Sequence, residues 1–190
     1  MDEKTIHELI QKKQAEDSIR EEFEGTLADR VDRYVQVKPH EIVPYTHFST
    51  ISAECSFLFR DGHYYGCIAL TQAVAEALVR FLCKKNSFRP VKNFENNIEK
   101  LSVRNFISDK VKESLLKIWE KRNDYHHLNP NVETDRQTLE ELAREKVRLL
   151  VEVEKEVFRF TSVDGKINPE NPKYWDISGN QAQVFLRLEP

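Results

Sequence analysis

A chain of 190 residues with only five glycines, 39% apolar and 32% charged residues can bury a core but is too glycine-poor for a turn-rich β sandwich. Apolar residues recur along the whole length, which excludes extensive disorder and favours long amphipathic helices. The net charge of −3 argues against indiscriminate nucleic-acid binding, yet the charge is polarised. Residues 80–122 carry twelve Lys/Arg against five Asp/Glu, a net of +7, and the first 34 residues carry ten acids against six bases.

A positive face of that kind suits a phosphate backbone. The charged start of the chain leads into no apolar signal region. The most apolar stretch, Tyr64 to Cys83, is interrupted by Gln72, Glu76 and Arg80, so no membrane span is expected. Cys55, Cys67 and Cys83 are odd in number, widely spaced and set among apolar residues, as buried free thiols in a cytoplasmic protein would be. No paired ligand spacing or carboxylate cluster calls for a metal, and no cofactor is expected.

The first helix is predicted to open with the capping box Thr5-x-x-Glu8 and to bring Ile19, Phe23, Leu27 and Val31 onto one face. The polar run from Gln11 to Ser18 suggests that its first turns project from the body. Residues 35–44, with two prolines, read as a loop. A second helix over about 46–60 points Phe48, Ile51, Cys55, Leu58 and Phe59 inward, and Asp61-Gly62 turns the chain. The third helix, 63–85, is the most hydrophobic, with Gln72, Glu76 and Arg80 as a narrow polar stripe. It forms an antiparallel hairpin with the second.

A short helix over 93–101 follows, then a fifth helix capped by Ser108 and lined by Val111, Leu115, Ile118 and Trp119. That helix is expected to run as far as Asn129-Pro130. Thr134-x-x-Gln137 is read as the capping box of a sixth helix reaching Phe160. Beyond it, Gly165, Pro169, Pro172 and Gly179 break the pattern. Ala182, Val184, Leu186 and Leu188 alternate as in a short strand. The expected organisation is an all-α antiparallel bundle over 46–160, an N-terminal helix and loop over 1–45, and an irregular tail over 161–190 that packs on the bundle or on a partner.

The chemistry-bearing stretch is Lys121-Arg122-Asn123-Asp124-Tyr125-His126-His127-Leu128-Asn129-Pro130. In a continuous helix Arg122 falls on the face of Ile118, where an arginine needs partners; Gln72 or Glu76 of the third helix could supply them. Arg-Asn-Asp-x-x-His at a helix end, after a hydrophobic helical hairpin, resembles the Arg-x(4–6)-His signature of the HEPN superfamily, over roughly residues 46–160. The resemblance implies a helical bundle and, as in many members, a metal-independent endoribonuclease of toxin–antitoxin, phage-defence or RNA-processing systems. It implies Arg122 and His127 as the catalytic pair, with Asn123 as supporting residue; the stretch itself and the polar stripe of the third helix add Asp124, His126 and Glu76 as supporting candidates. Asn129 stands where a subgroup of antitoxin-controlled members carries a modifiable tyrosine, so that mode of regulation is not expected.

Residues five apart on an unbroken helix point about 140° away from each other. Arg122 and His127 therefore converge only if the helix unwinds near Tyr125–Leu128, and His126, four residues on, is a rival base. The implied mechanism has histidine deprotonating a ribose 2′-OH, Arg122 stabilising the phosphoryl oxygens, and a second protomer's histidine as leaving-group acid. RNA, a homodimer partner and an antitoxin or defence protein are the expected partners. A non-catalytic HEPN-like module that binds nucleotide, RNA or protein is the alternative, and a helical scaffold docking through its tail is a third.

Overall fold

In the computed structural model, which describes residues 3–127, 129–130, 132–179 and 181–187, seven helices carry most of the chain. Helix α1 (Glu3–Gln36) is a single rod of 34 residues, about 50 Å long at 1.5 Å per residue. Among the described residues, only its C-terminal turns meet the body. There Arg33 Nε donates to the Arg60 carbonyl (2.8 Å), and the chain turns in at the buried Val37, whose carbonyl accepts from Ser56 Oγ (2.8 Å). Ile19, Phe23, Leu27 and Val31 do share a stripe as predicted, but they are 45–66% exposed and face solvent.

The loop expected over 35–44 holds more structure than the sequence suggests. Helix α1 runs into it, and β1 (Ile42–Pro44) pairs antiparallel with β6 (Val184–Leu186), placing Val43 opposite Phe185. Helix α2 (Ser49–Arg60) turns at Gly62, whose φ of +78° favours glycine, into α3 (Tyr64–Lys85). Cys55 and Phe59 of α2 are buried as expected, but Ile51 is exposed, and the inner face is completed by Ser52, Ala53 and Ser56. By length and composition α3 could cross a bilayer. In the fold it is the central helix, with Cys67, Ile68, Ala75, Leu78, Val79 and Leu82 fully buried among its neighbours.

Helix α4 (Phe94–Val103) is capped by Asn93, whose side chain accepts from the Asn96 amide at 2.7 Å. Helix α5 (Asp109–Trp119) is capped by Ser108 as predicted. It does not run on toward Asn129: a separate short helix, α6 (Arg122–His126), follows a sharp turn. Helix α7 (Arg136–Val157) is capped by Asp135, one residue later than the Thr134 expected, with Oδ2 accepting from the Thr138 amide at 2.8 Å. It ends at Val157, so Phe160 opens β2 (Phe160–Val163), which forms a hairpin with β3 (Lys166–Pro169).

The tail folds back onto the bundle. Tyr174 and Trp175 are 3% exposed, Trp175 packing edge-on against Phe158 and Phe160. The alternating stretch forms β5 (Gln181–Ala182), paired with β4 (Ile177–Ser178), and then β6; Leu188 lies outside the described residues. Arg187, just past β6, anchors this end in the core. Its guanidinium pairs with both Glu154 oxygens (2.7 and 2.9 Å) and donates to the Ser49 and His40 carbonyls and to Ser52 Oγ. The three cysteines are buried free thiols.

Candidate functional site

Two buried side chains create the break that presents Arg122. A helix end leaves carbonyls without intrahelical donors. At the end of α5, Lys146 Nζ donates to the carbonyls of Lys117 (3.0 Å), Ile118 (2.8 Å) and Glu120 (3.0 Å). Gln72 Nε2 reaches Ile118 and Glu120 from α3, at 3.0 and 3.1 Å. With these acceptors satisfied, Glu120 adopts an extended conformation (ψ 138°) and Lys121 a left-handed one (φ 57°), and the chain re-enters helix at Arg122. Lys146 is 1% exposed, and burial pushes its pKa down to about 8. Sequence reasoning gave it no role, although its place between Ala143, Val147 and Leu150 on one face of α7 is a readable signal.

Arg122 is half-buried. Its guanidinium lies 5.3 Å from the centre of the Trp119 ring, which stacks on Phe94 at 4.0 Å. Nη1 makes a long contact with Asn123 Oδ1 (3.4 Å), and the buried Nε has no hydrogen-bond partner among the described residues. Neither proposed partner takes the arginine: Gln72 serves the α5 carbonyls, and Glu76 pairs with Arg80 at 2.5 Å. The expected alignment of Arg122 with Ile118 also fails, because the chain is not helical between them.

Along α6, His126 follows Arg122 by four residues, so the two share a face. Its Nε2 is buried and has no hydrogen-bond partner among the described residues, and its pKa is lowered by burial first and then by Arg122 and His127, with smaller opposing effects of Glu76 and the Ala69 carbonyl. This ring therefore favours the neutral form. His127 caps the helix and is exposed. The helix stays regular through His126, so the unwinding that would turn His127 toward Arg122 does not begin at Tyr125. Tyr125 is 4% exposed and packs at 6.0 Å against Tyr65, whose hydroxyl donates to the Glu133 carbonyl and ties the following loop to α3.

An open cleft of about 570 Å³ lies over Trp119, with Glu95, Glu120, Lys121, Arg122, Asn123 and Asp124 on its walls. Three acids thus face two bases, and the histidines lie outside this lining. The arrangement offers an aromatic-backed guanidinium, an amide beside it and, one turn away, an imidazole that favours the neutral form. Those groups suit an anionic or hydrogen-bonding ligand. In comparisons with family models, curated proteins and solved structures, this chain matches none.

Proposed function

We propose that this chain is a HEPN-type, metal-independent endoribonuclease centred on Arg122 and the adjacent histidines. The observation that carries the reading is the guanidinium itself: backed by Trp119, held by no carboxylate among the described residues, and making only a long contact with Asn123. An arginine so placed gains from an incoming phosphate oxygen what the fold does not give it. Arg122 stabilises charge on the phosphoryl oxygens, and Asn123 helps to orient the phosphate. The exposed His127 takes the 2′-OH proton. His126 is the competing base, favoured by its position on the Arg122 face and its preference for the neutral form. A second protomer's histidine protonates the leaving 5′ oxygen, and the products are a 2′,3′-cyclic phosphate and a 5′-hydroxyl. In this reading the protein works in defence or stress response, under control of a partner protein.

The acidic walls of the cleft favour a second reading, a non-catalytic module of the same type that binds a nucleotide, RNA or a protein without cleaving it. Incubating mixed RNA with the protein in EDTA and analysing the ends separates the two. New 2′,3′-cyclic phosphates support the nuclease; saturable binding without new ends supports the module.

A further inference from the structure

Helix α1 presents a seam that none of the described residues covers. Ile6, Ile10, Lys13, Asp17, Arg20, Glu24, Leu27 and Val31 are spaced alternately four and three residues apart, which is the heptad spacing of a two-stranded coiled coil. All eight are exposed, the four apolar ones at 43–51%. The contact with α2 is centred on a neighbouring face, marked by the half-buried Arg30 and Arg33; Tyr34, the next position of the seam after Val31, is half-buried where the two faces meet.

The seam is self-complementary when reversed. With a twofold axis between Ser18 and Ile19, Ile6 meets the partner's Val31 and Ile10 meets the partner's Leu27. Lys13 then meets the partner's Glu24, and Asp17 the partner's Arg20. Each layer joins one a position to one d position, as antiparallel coiled coils require, and each combines apolar with apolar or acid with base. A parallel pair in register would instead stack Lys13, Asp17, Arg20 and Glu24 each on its own copy. Within one helix Lys13 already pairs with Asp17 (2.8 Å) and Arg20 with Glu16 (2.9 Å), so the charged side chains lie along the seam.

We propose that α1 is a self-association element, and that two copies of the chain pair through it as an antiparallel coiled coil centred between Ser18 and Ile19. From Ile6 to Val31 the seam runs about 38 Å. Pairing two such seams, with Leu9 and Phe23 at their flanks, covers on the order of 1,200 Å², the lower range of stable protein interfaces. The central charged layers set direction and register at some cost in affinity, leaving the outer apolar layers to hold the pair together. The inference does not rest on the nuclease reading: an antiparallel pair sets the two bodies at opposite ends of the coil, so the protomer that lends its histidine in that reading meets the site through another surface.

The test is the self-association of the full chain by sedimentation equilibrium at physiological salt, with helicity followed by circular dichroism. The wild type is expected to dimerise. Lys13→Glu and Glu24→Lys, at exposed positions, should each weaken the dimer by on the order of tenfold or more, because each sets like charges together in two layers. Combining them restores opposite charge only across an antiparallel pair, so the double variant should regain wild-type association. A wild type that stays monomeric at about 100 μM, single variants that dimerise unchanged, or a double variant no better than the singles would each overturn the proposal.

Discussion

Replacing Arg187 with methionine should reveal how strongly the tail is bound into the fold. The Arg187 and Glu154 side chains are 2% and 1% exposed, and their two contacts are 2.7 and 2.9 Å long. Truncation strands the Glu154 carboxylate with one remaining donor, Ser52 Oγ at 2.7 Å, and removes the Arg187 donors from the Ser49 and His40 carbonyls. Breaking a buried ion pair from one side costs about 3–5 kcal/mol. For a chain of this size each kcal/mol lowers the melting temperature by about 2–4 °C, so the expected fall is roughly 6–20 °C. Most of that cost belongs to the stranded charge rather than to the worth of the pair. Arg187→Met combined with Glu154→Leu should therefore recover most of the loss, leaving about 1–2 kcal/mol. Urea unfolding of the wild type, both single variants and the double variant, read by circular dichroism, gives the coupling. A cost below about 1 kcal/mol for Arg187→Met, or strict additivity in the double variant, would refute the reasoning.

Three further outcomes follow from the same geometry. Lys146, lowered by burial to about 8 from 10.5, binds fewer protons folded than unfolded between those values, so stability should rise with pH across that window. Up to about 3 kcal/mol is at stake, reduced by the three carbonyls that favour the ammonium; Lys146→Met should lack the slope, and equal pH dependence in urea unfolding would contradict this. His126, lowered by burial and then by Arg122, should titrate below 6.5 in NMR spectra. Its contribution to stability is present above 6.5 and lost as pH falls through the folded value; Arg122→Met should raise the midpoint, and an unmoved midpoint counts against their proximity. Asn93→Ala, which removes the α4 cap, should cost about 1 kcal/mol, and unchanged thermal stability would show that the cap is dispensable.

The bundle was legible because burial imposes a period of 3.6 on the sequence. Phe59, Ile68, Leu78, Leu115, Ile118 and Leu150 lie buried where that pattern puts them. The same pattern misleads at α1, since a stripe announces a face to be covered without saying what covers it. The break at Glu120–Lys121 left no local trace: neither residue is glycine or proline, and the turn depends on Gln72 and Lys146, distant in sequence. Pairing of β1 with β6 is non-local in the same way, joining Val43 to Phe185. At α7 both Thr134 and Asp135 are competent caps; Asp135 takes the role while Glu133 Oε1 accepts from both of their amides. For the site, proximity of Arg122, Asn123 and His126 follows from sequence neighbourhood. What the sequence concealed is that Arg122 opens a new helix instead of lying inside a long one.

RNA cleavage in EDTA, compared among wild type, Arg122→Ala, His126→Ala and His127→Ala at matched helicity, tests the nuclease reading most directly. The account predicts metal-free cleavage by the wild type, its loss in Arg122→Ala, and loss in one of the two histidine variants, which identifies the base. Cleavage that persists in Arg122→Ala, or no cleavage by the wild type of any RNA it binds, would contradict it.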